Sequence, residues 1–483
     1  MSNSVPKTLS EGLAAAGQEH LLAHAATLPS ESAAHFRAQL ASVDWNLVAK
    51  LVRRALEGGK DQEDPRSLAA RAVPPRSVVR LPSTPGDRER WQHAREHGEA
   101  WLRAGKLGVI VVAGGQGTRL GSSQPKGIYP IGPLSGKSLF QWFCEQLRAR
   151  RERSGQPIPY AVMTSDATHQ ETAAYLASHD CFGLPADEVR LFRQGHLPAI
   201  DAETGRALLT APGELALSPD GHGGMLAALA KANILQDWAA QGIETLFYHQ
   251  VDNPSTPLCD PAFIGLHLDA AADVSTKVVA KRSATEKMGV AVDVDGVTRI
   301  IEYSDLPADI AARTDADGRL TIWAGNTAMH ILQREFLERA LVDDRALPFH
   351  IARKVVPYVN GDGELVTPSQ PNAFKFERFI FDVLPWAHTA LIVEGDRAEE
   401  FNPVKNRDGD DSPETSRRAL MAQHRRWLRR AGVLVDETIP VEISPLVALG
   451  PDDLIGRIPP GAVIRKPLYL TESRMQEFHH HAG

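Results

Sequence analysis

The chain has 483 residues, with 53 lysines and arginines against 60 aspartates and glutamates, and a formal net charge of −7. This balance provides no basic excess for a nucleic acid or an anionic membrane, so the sequence predicts neither partner. No apolar run approaches the roughly 20 residues of a membrane span. Because Met1–Ser10 also lacks the apolar core of a secretory signal, we expect a cytoplasmic protein.

Three segments are predicted along the chain. Residues 1–104 are expected to be mostly helical, because leucines recur there at helical spacing. From 105 to 385, strands alternate with helices, which is typical of an α/β domain with a mostly parallel sheet flanked by helices. Residues 386–483 are predicted to form a small C-terminal α+β domain, with a helix that begins at Pro413 and ends at Arg430.

The first predicted strand of the α/β domain leads into a glycine-rich loop. Val109–Val112 is an apolar, β-branched run of the kind found in buried parallel strands, and Ala113–Gly121 follows it. Glycine lets backbone N–H groups face a ligand without a Cβ in the way, and Arg119 and Lys126 add positive charge. Successive N–H groups together with two cations predict a polyphosphate site.

Two common phosphate-binding motifs match only in part. The dinucleotide motif G-x-G-x-x-G requires a glycine where Leu120 stands. The P-loop motif, whose end would be Gly136-Lys137-Ser138, requires a glycine where Ile131 stands. A nicotinamide-dependent oxidoreductase is therefore the weaker interpretation of this strand and loop, and a dinucleotide titration would distinguish it.

Two later segments add candidate ligands. Thr245–Tyr248 is a predicted strand that leads to Asp252, and an aspartate at the carboxyl end of a strand can hold Mg²⁺ against phosphate oxygens. A turn residue or a helix cap is the alternative for Asp252. Pro219–Gly224 is a second glycine-rich turn, and the apolar residues from Met225 to Trp238 predict one helix after it.

The glycine-rich loop, with Pro125-Lys126-Gly127, resembles the signature of the eukaryotic-type UDP-sugar pyrophosphorylases. The resemblance extends from about Leu107 to about Leu446 in ordered blocks, among them Arg193-Gln194-Gly195, Pro219–Gly224, Gln250–Asn253, Ile301–Ser304, Ala324–Asn326 and Phe401–Asn406. In detail it is closer to the N-acetylhexosamine branch than to the glucose branch. It implies a Rossmann-like (GT-A-like) catalytic domain and a uridylyltransferase that uses Mg²⁺.

The implied reaction converts UTP and N-acetylglucosamine 1-phosphate into UDP-N-acetylglucosamine and pyrophosphate. A phosphate oxygen of the sugar attacks the α-phosphorus in line, so the protein needs to align two polyanions rather than supply a strong base. Glucose 1-phosphate, or a broader range of sugar phosphates, is the alternative substrate. A non-catalytic nucleotide-sugar binding protein is disfavoured, because the expected cations and the aspartate are present. The sequence does not predict the oligomeric state.

The resemblance also implies a role for each matching residue. Arg119 and Lys126 would hold the triphosphate, Lys405 would neutralise the sugar phosphate, and Asp252 would bind Mg²⁺ beside the nucleotide. Nucleotide contacts are implied for Gly114, Gly115, Gln194 and Gly221, and sugar contacts for His222, Gly289, Glu302 and Asn326.

His222 departs from the pattern of the N-acetylhexosamine branch. That branch usually has asparagine at this position, in Asp-Gly-Asn-Gly-Gly, whereas the glucose branch usually has histidine. The loss of one polar contact changes a preference by about 1–3 kcal/mol, or roughly 5–150-fold. This residue alone could therefore change the sugar preference without affecting the chemistry.

Overall fold

The computed structural model describes residues 7–58, 64–343 and 345–475. The chain divides into two compact units. Unit 1 comprises Met1–Ser67, Gln194–Ala228 and Asp343–Asp382; unit 2 comprises Leu68–Arg193, Leu229–Val342 and Val383–Gly483. The three-part division with boundaries at 104 and 385 stays a prediction.

Unit 2 contains a mainly parallel central sheet. Its described strands are β1 (Val78–Val79), β2 (Leu107–Val112), β3 (Tyr160–Thr164), β4 (Val189–Arg193), β5 (Thr245–Gln250), β6 (Val274–Ala280), β7 (Val290–Val294), β8 (Val297–Ile301), β9 (Ala324–Gln333) and β10 (Ala390–Glu394). Their order is β1-β10-β6-β9-β5-β2-β3-β4, and the β7–β8 hairpin joins β9 through β7. β9 runs antiparallel to β5 and β6, whereas the other neighbours in that order are parallel. The predicted mixed α/β class is confirmed.

Apolar strand residues and the helices beside the sheet form the core of unit 2. Val109, Tyr160, Phe247 and Phe263 are fully buried in one cluster, which explains why these strands are apolar at nearly every position. The main helices of unit 2 are Pro85–Arg103, Leu139–Ser154, Asp166–Ser178, Ile234–Ala240, Pro261–Asp269, Arg334–Leu341 and Pro413–Arg430, with short helices at Ala308–Ala311 and Arg397–Glu400.

Local signals place several elements where the sequence predicts them. The helix Pro413–Arg430 has the predicted bounds, with proline at its first position and Ser412 as its N-cap. The prediction of one continuous helix from Met225 to Trp238 is wrong, because the structure contains two helices there, Met225–Lys231 and Ile234–Ala240. Asn233 separates them with a φ of 57°, a left-handed conformation that asparagine tolerates better than most residues.

Unit 1 combines N-terminal helices with small antiparallel sheets. The helices Lys7–Ala15, His20–Thr27, Ser30–Ser42 and Trp45–Leu56 share a core with the three-stranded sheet His350–Lys354, Ala373–Glu377 and Ile200–Asp201. Phe36, Leu40 and Ile200 are fully buried in this core. Three strand pairs complete the unit: His196–Pro198 with Leu217–Pro219, Leu209–Ala211 with Glu214–Leu215, and Tyr358–Val359 with Leu365–Val366. The helix Pro65–Ala70 spans the point where the chain leaves unit 1.

The C-terminal part of unit 2 mixes helix and strand. Two short parallel pairs follow the helix Pro413–Arg430: Leu434–Val435 with Val463–Ile464, and Val441–Ile443 with Leu468–Leu470. Leu428, Ile443 and Leu470 belong to one apolar cluster there. Throughout the described ranges, no helix has both the length and the apolar character that a bilayer crossing requires.

Candidate functional site

The glycine-rich loop and Asp252 follow neighbouring parallel strands. Val112 of β2 is in register with Gln250 of β5, and the Val251 N–H donates to the Val112 carbonyl at 3.1 Å. On the other side, the Ala113 N–H donates to the carbonyl of Met163 in β3 at 2.8 Å. The loop and Asp252 therefore begin at one edge of the sheet, as the sequence predicts.

Internal hydrogen bonds hold the glycine-rich loop in a compact turn. The Gly117 N–H donates to the Gln124 carbonyl at 2.8 Å, and the Lys126 N–H donates to the Gly115 carbonyl at 3.0 Å. These bonds bring Lys126 back beside the start of the loop. The Arg119 side chain is exposed and that of Lys126 is half-buried, and neither forms an ion pair with any described residue. Both cations are therefore available to an anionic ligand.

A hydrogen-bonded contact joins the Asp252 turn to the segment that carries Lys405. The Val404 N–H donates to the Asp252 carbonyl at 2.7 Å, and the Asn402 N–H donates to Asn253 Oδ1 at 3.0 Å. The half-buried Asp252 carboxylate has no hydrogen-bond partner among the described residues. A carboxylate and a lysine from distant parts of the sequence are thus carried on adjoining segments.

Arg407 is a cation near this edge that the sequence analysis missed. Its Cδ lies 3.7 Å from the position that a Cβ would occupy on Gly121, at the end of the glycine-rich loop. The side chain is 75% exposed, and its nearest carboxylate, that of Asp408, is 3.8 Å away. The sequence feature that could have identified Arg407 is its position two residues after Lys405.

Three predicted sugar ligands lie close together elsewhere in unit 2. The Asn326 N–H donates to the Gly289 carbonyl at 2.8 Å. Glu302 Oε1 lies 3.0 Å from the position of a Cβ on Gly289, so glycine at 289 leaves room for this carboxylate. Asn326 Oδ1 accepts from the Ala328 N–H at 3.0 Å, which leaves its amide N–H groups as the available donors.

Gln194 and Gly221 meet in unit 1. Gln194 Nε2 donates to the Gly221 carbonyl at 2.8 Å, which fixes the orientation of the amide and leaves Oε1 as an acceptor. The turn at Gly221 is held by a buried ion pair, in which Arg378 Nη2 lies 2.7 Å from Asp220 Oδ2. The Arg378 N–H also donates to the Asp220 carbonyl, and the Arg378 carbonyl accepts from the Gly223 N–H, both at 2.8 Å.

His222 is a neutral imidazole between aromatic rings of unit 1. Its ring centroid lies 5.3 Å from that of Phe379 and 5.5 Å from that of Phe381. Burial, with a smaller contribution from His350, lowers the pKa of His222 to about 4. Nδ1 accepts a hydrogen bond from the Ile380 N–H at 3.2 Å, so the ring proton is on Nε2. His222 therefore offers a ligand one uncharged donor.

The predicted residues thus form three groups. Arg119, Lys126, Asp252, Lys405 and the loop glycines belong to the sheet edge of unit 2; Gly289, Glu302 and Asn326 form a second group in that unit; Gln194, Gly221 and His222 form a group in unit 1. Their individual roles stay predictions. The Asp220–Arg378 pair was missed because Arg378 matches no motif by itself.

Comparison with known proteins identifies the family. The sequence profile described as UTP–glucose-1-phosphate uridylyltransferase matches residues 49–454. The chain belongs to this family. UDP-N-acetylhexosamine pyrophosphorylase-like protein 1 of Mus musculus is 40% identical to it, over 95% of this chain and 96% of the mouse protein. The UDP-N-acetylglucosamine pyrophosphorylase of Saccharomyces cerevisiae is 37% identical, over 75% of this chain and 79% of its own.

A solved structure agrees with this assignment. The uridine diphosphate N-acetylglucosamine pyrophosphorylase of Trypanosoma brucei, solved in complex with an inhibitor, superposes with a TM-score of 0.80. The match covers 96% of this chain and 99% of that one, at 28% sequence identity. The predicted family and the predicted enzyme class, a uridylyltransferase that forms UDP-sugars, are confirmed.

Proposed function

We propose that this uridylyltransferase acts on UTP and N-acetylglucosamine 1-phosphate, forming UDP-N-acetylglucosamine and pyrophosphate. The main support is the sheet edge of unit 2. There the glycine-rich loop and Asp252 follow neighbouring parallel strands, and the segment that carries Lys405 is hydrogen-bonded to the Asp252 turn. Backbone amides, two cations without carboxylate partners and one available carboxylate suit a bound triphosphate. The names of the mouse, yeast and trypanosome relatives favour the N-acetylhexosamine substrate.

In the proposed reaction, an oxygen of the sugar phosphate forms a new bond to the α-phosphorus of UTP. The bond between the α-phosphorus and the bridging oxygen to the β-phosphorus breaks, and pyrophosphate leaves with that electron pair. No proton has to be removed from the attacking oxygen, because the phosphate is already ionised. Arg119 and Lys126 stabilise the charge that develops on the leaving pyrophosphate, and Lys405 offsets the repulsion between the two substrates.

Asp252 is the residue that would hold Mg²⁺. Within the described ranges, no cluster of three or more histidine, cysteine, aspartate or glutamate side chains could hold a metal ion. A single carboxylate without a protein partner fits Mg²⁺, which commonly takes one or two carboxylates and completes its coordination with phosphate oxygens and water. When bound, the ion would supply positive charge against the phosphate oxygens of UTP.

Base and sugar recognition are assigned to the other two groups. Gln194 Oε1, oriented by the bond to Gly221, suits the N3–H of uracil, which is a donor. Glu302 and Asn326 offer an acceptor and amide donors, respectively, to sugar hydroxyl groups. Glucose 1-phosphate is the second candidate substrate, and His222 is the observation that favours it, because this residue matches the glucose branch.

A pyrophosphate-release assay with UTP and Mg²⁺ tests this assignment. N-acetylglucosamine 1-phosphate, N-acetylgalactosamine 1-phosphate and glucose 1-phosphate are compared for the wild type and for His222→Asn. We expect the highest kcat/KM with N-acetylglucosamine 1-phosphate, and an increase in its preference over glucose 1-phosphate of about 5–150-fold in the variant. Preference for glucose 1-phosphate would establish the second candidate, and the absence of turnover with all three would refute the proposal.

A further inference from the structure

Unit 2 contains a cavity that is separate from the predicted catalytic groups. Its volume is about 570 Å³, large enough for a small organic molecule. Trp91, Trp142 and Trp427 contribute aromatic walls, and Arg150, Thr256 and Leu449 also line it. None of the residues predicted to bind UTP, Mg²⁺ or the sugar is part of its lining.

Arg150 stands out among the arginines of this cavity. Arg153, Arg426 and Arg430 form ion pairs with Asp453, Glu399 and Asp452, at 2.8, 2.6 and 3.0 Å respectively. Arg150 instead donates from Nε to the Leu258 carbonyl at 3.1 Å, and no described carboxylate lies within 4.0 Å of it. Burial lowers the pKa of the Arg150 guanidinium. A half-buried cation without an ion-pair partner can gain one from a ligand.

The carboxylates of the cavity limit the charge that an occupant can carry. Asp260 and Glu400 share the buried Lys277, whose Nζ lies 2.9 Å from Asp260 Oδ2 and also contacts Glu400. Asp260 also attracts Arg150, but from beyond ion-pair distance. Because the other lining arginines named above have acidic partners within ion-pair distance, Arg150 is the one that can still form an ion pair with a ligand. A ligand with several negative charges would meet these carboxylates, whereas a single negative charge matches the one available guanidinium.

We propose that this cavity binds a small aromatic anion, with its single acidic group at Arg150 and its ring against the tryptophan-lined walls. Arginine recognises carboxylate, sulfonate and phosphate oxygens through the same parallel N–H groups, so the acidic group is defined by its charge and geometry.

The position of the cavity gives the occupant a route to the catalytic loops. Pro254–Pro257, which lines one wall, directly follows the Asp252 turn, and Glu399–Glu400 directly precedes the segment that carries Lys405. Asn253 Nδ2 donates to the Glu400 carbonyl at 2.7 Å and so ties these two wall segments together. An occupant that shifts either wall would shift Asp252 or Lys405. This regulatory consequence rests on the proposed function, whereas the binding site itself does not.

The test uses 8-anilinonaphthalene-1-sulfonate, a fluorescent aromatic anion, as the probe. The probe is titrated into the 483-residue protein, and its emission is recorded with excitation of the tryptophans. The titration is carried out in the presence and in the absence of saturating UTP with Mg²⁺. The variants are Arg150→Gln, Leu449→Trp, which fills the cavity without changing Arg150, and Arg148→Gln. Arg148 is the matched control, because it lies on the same helix but bonds to the Phe182 carbonyl and does not line the cavity.

We expect one saturable site that persists with UTP and is unchanged in Arg148→Gln. Arg150→Gln should weaken binding by about 10–150-fold, the value of one charge-assisted hydrogen bond, and Leu449→Trp should abolish the site with an unchanged melting temperature. Wild-type affinity in both cavity variants, or complete displacement of the probe by UTP, would overturn the binding site. If the probe alters wild-type turnover but not that of Arg150→Gln, the regulatory consequence is supported; unaltered wild-type turnover with the site filled would overturn that consequence alone.

Discussion

Replacing Gly221 by alanine tests the turn that orients Gln194. Gly221 has a φ of 83° and a ψ of 164°, a region of conformational space used almost exclusively by glycine. A Cβ at this position would lie 2.3 Å from the carbonyl oxygen and 2.6 Å from the nitrogen of Arg378. Backbone atoms cannot swing away as a flexible side chain does, so the turn itself has to move. The backbone strain alone is worth about 1–3 kcal/mol.

Movement of the turn should appear as weaker UTP binding. The Gly221 carbonyl accepts the Gln194 amide at 2.8 Å, so its displacement misplaces the proposed base-reading oxygen. If the strain is released in the free enzyme and restored on binding, about 1–3 kcal/mol corresponds to an increase of roughly 5–150-fold in KM for UTP, with a smaller change in kcat.

Steady-state kinetics with varied UTP provide the measurement, and Gly363→Ala is the matched control. Gly363 also belongs to unit 1 and has a φ of 82°, but no atom lies within 4 Å of its Cβ position. This variant therefore carries backbone strain without a collision. A KM for UTP in Gly221→Ala that lies within twofold of the Gly363→Ala value would refute the proposed link between the turn and base recognition.

Three further predictions concern the phosphate site, the buried ion cluster and acid stability. Lys126→Ala should lower turnover by about 10–150-fold, the value of one charge-assisted hydrogen bond, and a change below about threefold in pyrophosphate release would argue against contact with the reacting phosphates. Lys277→Met should destabilise the protein by about 3–5 kcal/mol, because it leaves Asp260 and Glu400 buried without their cation. Urea unfolding measures this effect, and Lys106→Met, which removes an exposed pair with Glu244, should cost less than about 1 kcal/mol. An equal cost in the two variants would contradict the role of the buried cluster. Burial lowers the pKa of His249, His267 and His424 to about 3, whereas the usual histidine value is about 6.5. The unfolded chain therefore binds protons at these residues that the folded state excludes. Stability should therefore fall as the pH decreases from about 6.5 towards 3, by about 2 kcal/mol per histidine at pH 5. Calorimetry at pH 5 in buffers of different ionisation enthalpy should detect uptake of at least about three protons on unfolding. Uptake of less than one proton would show that these histidines are not held neutral.

The parts of the fold that local sequence determines could be predicted. The β-branched run before the glycine-rich loop forms β2, and the predicted strand that begins at Thr245 forms its parallel neighbour β5. Because parallel neighbours end at the same edge, the proximity of the loop to Asp252 followed from recognising these strands. Proline at the first helical position likewise located the start of the helix Pro413–Arg430.

What could not be predicted depends on long-range packing. The antiparallel insertion of β9 between β5 and β6 leaves no mark on local hydrophobic periodicity. The Asp220–Arg378 pair joins residues 158 positions apart, and the cavity around Arg150 is lined by segments between Leu81 and Asp453. Each needs a folded chain to bring its members together. The break at Asn233 was missed for a different reason, because one left-handed residue interrupts a helix without altering its apolar face.

The proposed metal role of Asp252 can be tested through the rate of pyrophosphate release from UTP and N-acetylglucosamine 1-phosphate. The Asp252→Asn variant and the wild type are compared at saturating Mg²⁺. We expect a rate at least about tenfold lower in the variant, since one carboxylate without a protein partner is proposed to hold the metal against the nucleotide. Circular dichroism and the melting temperature should be unchanged. A correctly folded Asp252→Asn protein that releases pyrophosphate at the wild-type rate would show that Asp252 does not hold the metal.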